Sequence, residues 1–300
     1  MENKKYFLNG KFIGDGSLTV IAGPCSLESP ELGLRVAKFM KRVCDERNLL
    51  YIFKASFDKA NRTSVHAWRG PGLEKGLEQL AEIKRTVGVP VLTDIHESYQ
   101  AGPVGDVVDV VQIPAFLCRQ TDLLVAAAKT GRIINVKKAQ FLAPEDMEYV
   151  AAKCREAGND NVMFCERGTS LGYHRLVVDM TGLETMRTFG YPLIFDATHS
   201  AQRPGGLGGA SGGDYRLAFP LSRAAAAVGI DGIFAETHPN PKEALSDGPN
   251  MIPLDKMPKF LDEVLAIEEK SFNDPWSRDY FEYEITIIKI SFLNINNTQP

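Results

Sequence analysis

LTVIAGPCSLES, residues 18–29, is where the fold is decided. Leu18 to Ala22 is a short apolar run, Gly23-Pro24 stops it, and Cys25 follows at the start of a polar turn. The run reads as a buried strand that delivers a sulfur group to the point where the chain leaves a sheet. Seven more runs of the same kind recur downstream: YIFKAS (51–56), PVLTDI (90–95), VVQIPA (110–115), INVKK (134–138), NVMFCER (161–167), LIFDATH (193–199) and GIFAETH (232–238). Amphipathic helical patterns separate most of them, among them ELGLRVAKFMKRVCDER (31–47), GLEKGLEQLAEIKRTVG (72–88), DLLVAAAKTG (122–131), PEDMEYVAAKCREAG (144–158) and LSRAAAAVGI (221–230). Alternating strand and helix imply a parallel sheet with right-handed crossovers, and eight such units in about 250 residues predict a (β/α)8 TIM barrel. A doubly wound open sheet is the other arrangement of such units, but no glycine-rich phosphate fingerprint follows the first strand.

Composition agrees with a globular chain. It has 300 residues, 44% of them hydrophobic, and a net charge of −4. No apolar run approaches the ~20 residues that span a bilayer, so no membrane role is expected. MENKKYFLNGKF has no apolar segment behind its lysines and does not read as a secretory leader. The five cysteines (25, 44, 118, 154, 165) are scattered and form no Cys-x-x-Cys pair, which predicts reduced thiols in a cytoplasmic protein. The absence of a lysine/arginine run argues against nucleic acid as a partner.

In a barrel of this kind chemistry collects at the C-terminal ends of the strands. Those ends read Cys25, Lys54, Asp94, Gln112, Lys137, Arg167, Asp196 with His199, and Glu236. A barrel with merely structural loops would show more Gly, Ser and Asn there. Lys54, Lys59, Arg62, Lys137 and Arg167 would converge on one mouth, where like charges repel unless an anion occupies it. Several cations suit phosphorylated substrates better than a single carboxylate. Each of these lysines could instead snorkel from its loop to solvent. Cys25, His199, Glu236 and Asp247 form a second set, from strands one, seven and eight and the loop after strand eight. Thiolate, imidazole and two carboxylates suit a divalent transition metal, Fe²⁺, Mn²⁺, Co²⁺ or Zn²⁺. A gap-filling cysteine and a core histidine are the alternatives for Cys25 and His199. QRPGGLGGASGG (202–213) reads as a loop able to fold over a ligand, or as a plain connector.

At KASFDKANRTS (54–64) the chain resembles the 3-deoxy-D-manno-octulosonate 8-phosphate synthases. The likeness continues through RGPGLE (69–74), LTDIHE (92–97), QIPAFLCRQTDLL (112–124), INVKKAQF (134–141), ERGTSLGYHRLVVDM (166–180), FDATHS (195–200) and ETHPNPKEALSDGP (236–249). It implies a homotetrameric transferase that condenses phosphoenolpyruvate with arabinose 5-phosphate for the inner-core sugar of lipopolysaccharide. The resemblance assigns Lys137 and Arg167 to the phosphoenolpyruvate phosphate, with Gln112 and the backbone at Ala115 beside it. Lys54 would approach the carboxylate and reacting end. Lys59, Asn61, Arg62 and Thr63 would meet the sugar chain and phosphate of arabinose 5-phosphate, and Arg119 would reach that phosphate across a subunit boundary. Asp94, His96 and Gln202 would line the same cavity. The family resembles two groups, one with asparagine at the position of Cys25 and no metal, one with cysteine and a divalent ion. This chain carries the cysteine, which implies a metal held by Cys25, His199, Glu236 and Asp247.

Two other functions remain in view. The related 3-deoxy-D-arabino-heptulosonate 7-phosphate synthases use erythrose 4-phosphate and usually carry Lys-Pro-Arg-Thr where this chain has Ala60-Asn61-Arg62-Thr63. Asparagine can hydrogen-bond a sugar hydroxyl where proline cannot. A non-catalytic sugar-phosphate-binding barrel would lack a ligand or a cation, and none is lacking. The expected organisation is a catalytic barrel over residues 1–270 with a short N-terminal lead-in. An atypical tail follows at 271–300, in which SFNDPWSRDYFEYE faintly resembles the start of ribosomal-protein alanine acetyltransferases; no activity is assigned to it.

Overall fold

The computed structural model describes residues 3–62, 64–206 and 211–272. Eight parallel strands, β1 (Thr19–Gly23), β2 (Leu50–Lys54), β3 (Val91–Asp94), β4 (Val110–Ile113), β5 (Ile133–Lys137), β6 (Val162–Glu166), β7 (Leu193–Asp196) and β8 (Gly232–His238), pair in chain order. β8 pairs back onto β1, with Glu236 opposite Gly23, so the expected (β/α)8 barrel closes. The end of β1 needs a glycine against β2: a Cβ on Gly23 would clash with the carbonyl oxygen of Lys54. The outer ring is α1 (Pro30–Asp45), α2 (Leu73–Val87), α3 (Ala101–Val107), α4 (Thr121–Ala128), α5 (Met147–Glu156), α6 (Met180–Arg187), α7 (Ala218–Val228) and α8 (Met257–Phe272).

Every residue of the eight strands is buried, because helices cover one face and the barrel interior the other. The period of two sorts the side chains. Val20, Phe53, Val111, Val136, Phe164 and Ile233 face the helices, while Ile21, Ile52, Leu92, Val110, Met163, Ile194 and Phe234 fill the lower interior. α1 starts where its sequence specifies: Ser29 caps it, its Oγ accepting from the Leu32 N–H at 3.2 Å, with Pro30 at the first position.

Four features depart from the sequence reading or sharpen it. The N-terminal lead-in is a hairpin, Tyr6–Leu8 against Lys11–Ile13, turning on Asn9 and Gly10, both at positive φ. That pair suits the two-residue turn whose central residues are left-handed. The hairpin stoppers the barrel floor: Ile13 is fully buried in the lower interior, and the Tyr6 hydroxyl donates to the Val162 carbonyl at 2.9 Å. α3, α6 and α8 complete the helical ring, although the sequence patterns named above include none of the three. β7 ends at Asp196 rather than His199, because the Asp196 carboxylate accepts from the His199 backbone N–H at 3.0 Å and starts the single turn Ala197–Ser200. Residues 273–300 of the tail, Thr63 and residues 207–210 lie outside the described residues; the flanks of the glycine-rich loop pair as Gln202–Arg203 against Gly212–Gly213.

Candidate active site

The alternation that puts aliphatic side chains inside the floor puts polar ones inside the mouth. Continuing each inward row toward the C-terminal end gives Lys54, Asp94, Gln112, Lys137, Asp196 and Glu236, with Arg167 one residue past β6. All seven are buried, and all but Asp196 wall a cleft of about 1760 Å³ at the mouth of the barrel. Burying that many charges is costly unless each has a partner, and each of them has one.

Lys54 Nζ donates to Glu236 Oε1 at 2.6 Å and to the Cys25 carbonyl at 3.0 Å. Lys137 pairs with Asp196 and stands over the face of Phe234, 3.6 Å from its centroid. Asp196 Oδ2 also accepts from His199 Nδ1 at 2.8 Å, turning Nε2 of that ring toward Glu236 Oε2, 3.7 Å away. Asp94 faces His96 Nε2 at 3.0 Å and accepts from Ser56 Oγ. Arg167 Nη2 donates to Gln202 Oε1 at 2.9 Å, and Gln202 Nε2 donates to Asp247 Oδ1 at 3.3 Å. Arg62 Nη1 donates to Ser246 Oγ at 2.7 Å, and Asn135 Nδ2 donates to Gln112 Oε1 at 3.0 Å.

The charges set one another. Burial pushes the carboxyls of Asp94, Asp196 and Glu236 up, but neighbouring cations and histidines outweigh it and hold all three below the usual carboxylate range. Burial works to lower the Lys59 ammonium, yet Cys25, Glu236, Asp94 and Asp247 raise it on balance. Burial is the main reason that the Cys25 thiol is pushed above its ordinary value, with Glu236 adding to it. The thiol therefore keeps its proton near neutral pH unless a cation replaces it.

Ligand atoms of Cys25, Glu236 and Asp247 lie within 4.8 Å of one another. Cys25 Sγ is 3.3 Å from Asp247 Oδ2 and 3.2 Å from Ser246 Oγ. Glu236 Oε2 is buried with no hydrogen-bond partner among the described residues, and a cation beside it would satisfy it. Thiolate with two carboxylates suits a divalent transition metal. His199 stands next to this trio through Glu236 but is not within the same radius of all three.

Of the other expected site residues, Lys59, Asn61, Arg62, His96, Gln112 and Gln202 line the cleft. Ala115 is buried at the start of the turn after Pro114. Arg119 is exposed and belongs to a separate shallow pocket beside Tyr149 and Lys153. Sequence reading gave no role to Asp196, Ser246 or Asn135. Asp196 sits at a strand end and so carried a signal; Ser246 and Asn135 are ordinary residues whose position only the fold reveals.

A closed barrel whose mouth gathers buried cations beside a metal-capable cluster is an enzyme built for anionic substrates. Comparison with known proteins narrows this class. A profile of the DAHP synthetase I family matches residues 2–271, and the chain belongs to that family. It is 55% identical over 265 residues to the 2-dehydro-3-deoxyphosphooctonate aldolase of Fusobacterium nucleatum subsp. nucleatum, covering 88% of this chain and 94% of the relative. It is 57% identical over 256 residues to the protein of the same name from Cyanothece sp., covering 85% and 94% respectively. With that from Desulfotalea psychrophila it shares 55% over 256 residues, 85% of this chain and 91% of the relative.

Proposed function

We propose that this chain condenses phosphoenolpyruvate with D-arabinose 5-phosphate and water, giving 3-deoxy-D-manno-octulosonate 8-phosphate and phosphate. The observation that carries this reading is the ring of buried Lys54, Lys137 and Arg167 around the cleft, in a chain about 55% identical to aldolases named for that eight-carbon acid. The reaction adds the nucleophilic C3 of phosphoenolpyruvate to the sugar aldehyde. Water adds at C2, and the tetrahedral phosphohemiketal expels phosphate by C–O cleavage. The product feeds the inner-core sugar of lipopolysaccharide.

The family resemblance supports the following roles. Lys137 and Arg167 hold the phosphate of phosphoenolpyruvate, beside Gln112 and the backbone at Ala115. Lys54 meets its carboxylate. Lys59, Asn61, Arg62 and Thr63 receive the sugar phosphate, while Asp94, His96 and Gln202 shape the space between the two substrates. Together the cations neutralise two phosphates and a carboxylate, so that two anions can approach within reacting distance. Cys25, Glu236 and Asp247, with His199 as a fourth ligand, would hold a divalent ion, Fe²⁺, Mn²⁺, Co²⁺ or Zn²⁺. When bound, that ion supplies Lewis-acid polarisation of an oxygen in the cleft. Asp196 fixes the His199 ring through Nδ1, leaving Nε2 for the ligand position.

Residues 1–270 form the catalytic unit in this reading, and no activity is assigned to the tail at 271–300. The odd, scattered thiols support a cytoplasmic setting. No helix among the described residues is long and apolar enough to cross a membrane. The exposed position of Arg119 outside its own cleft supports a homotetramer in which it completes a neighbour's sugar-phosphate site. Mixing Lys137→Ala with Arg119→Ala subunits is then expected to restore activity above either parent; mixed tetramers with no recovered activity would remove the shared site.

The metal reading has its own test. A strong chelator is expected to abolish phosphate release from the two substrates, and Mn²⁺, Fe²⁺ or Co²⁺ to restore it. Full turnover by protein verified as metal-free would end that reading.

A further inference from the structure

Behind the cleft, and lining no part of it, lies a buried ion pair between Lys138 and Glu166. Their side chains are 1% and 3% exposed, and Lys138 Nζ stands 3.4 Å from Glu166 Oε2. Lys137 is opposite Cys165 in the register of β5 and β6, so Lys138 and Glu166 are the next cross-strand pair, and the Lys138 N–H continues the ladder to the Cys165 carbonyl at 2.8 Å. The strand period turns both outward. Lys137, the residue before one partner, and Arg167, the residue after the other, turn inward.

Both partners also tie down the loops that leave the two strands. Lys138 Nζ donates to the carbonyls of Ala139 and Leu142 at 3.3 and 3.2 Å and to Thr169 Oγ1 at 3.4 Å. Glu166 Oε1 accepts from the Gly168 N–H, closing the turn that carries Arg167. Burial pushes the Glu166 carboxyl up, and the Lys138 charge is the largest influence opposing that rise. A hydrophobic pair in this place would satisfy packing alone, since apolar replacements of buried ion pairs often cost nothing in stability.

We infer that Lys138 and Glu166 are positioning residues that lock β5 and β6 together at their ends, fixing the spacing of Lys137 and Arg167 for one phosphate group. The inference rests on the reading of Lys137 and Arg167 as the phosphoenolpyruvate phosphate site. Two cations converging on one point repel, and a rigid pair behind them holds them apart at the distance a phosphate requires. Arg167 Nε, buried without a partner, is the donor left waiting for that anion.

The test is the charge-free double variant Lys138→Met/Glu166→Leu, which leaves no lone buried charge. The expected result is a rise of about tenfold in KM for phosphoenolpyruvate, and an equal weakening of competitive inhibition by inorganic phosphate. KM for arabinose 5-phosphate is expected to stay within about twofold, because its site lies on other loops. A folded double variant with unchanged phosphoenolpyruvate KM and phosphate inhibition would overturn the inference and leave the pair a purely structural one. Should the double variant not fold, the isosteric Glu166→Gln decides: it keeps the acceptor for Gly168 and is expected to raise phosphoenolpyruvate KM about threefold, no change again overturning the inference. Arg167→Ala runs alongside as a control. If it leaves phosphoenolpyruvate and phosphate binding intact, the site assignment has failed; if it weakens them while the pair variants do not, only the positioning claim has failed.

Discussion

The two ends of the barrel are built from the same strands and the same inward-facing rows, and they do opposite things. At the floor the rows carry Ile21, Ile52, Leu92, Val110, Met163 and Ile194, stoppered by Ile13 of the hairpin. At the mouth, one or two steps further along the same rows, they carry Lys54, Asp94, Gln112, Lys137, Asp196 and Glu236. The floor gains stability from every side chain it buries. The mouth buries charges whose replacement by apolar groups is often neutral or stabilising, and the proposed binding role would account for their retention there. Stability and activity should therefore separate by level along the barrel axis.

The sharpest way to break that comparison is to make the mouth resemble the floor. Lys54→Met/Glu236→Leu replaces a buried ion pair with apolar groups. Activity is expected to fall at least about a thousandfold, while thermal unfolding shows stability unchanged or raised by about 1–4 kcal/mol. A clear loss of stability alongside the activity would mean that the mouth is also structural. The reverse experiment is Ile52→Ala in the floor. It should cost about 3 kcal/mol in denaturant unfolding, with kcat/KM of the folded enzyme within about twofold of the parent. A change in kcat/KM much beyond that would show that the levels are coupled.

The same division explains how much could be read in advance. Strands buried on both faces leave continuous apolar runs, so LTVIA, PVLTDI and GIFAETH announced themselves, and with them the barrel. The strand ends were legible because a charge closing an apolar run is rare, which brought out Lys54, Lys137 and Glu236. α3 was hidden because AGPVGDV carries two glycines and a proline in seven residues, and α6 because MTGLETMR is too short for a helical period to stand out. The hairpin's strands are only three residues each, although Asn9-Gly10 was an available signal. His199 was placed on a strand because an aspartate cap three residues earlier looks no different, in sequence, from a strand residue. The Lys138–Glu166 pair was invisible for another reason: which neighbours of Lys137 and Arg167 meet behind the sheet depends on register, and register is a property of the closed barrel.

The family profile and the relatives reported above carry names for two sugar chain lengths, and choosing between them tests the central claim most directly. The measurement is kcat/KM of the metal-loaded enzyme with phosphoenolpyruvate and either arabinose 5-phosphate or erythrose 4-phosphate, followed by condensation product. A site with Asn61 and Arg62 built to hold the longer sugar loses hydrogen bonds with the shorter one, and such losses cost several kcal/mol. The account predicts a preference for arabinose 5-phosphate of at least about a hundredfold. Equal efficiency with the two sugars, or a preference for erythrose 4-phosphate, would contradict it.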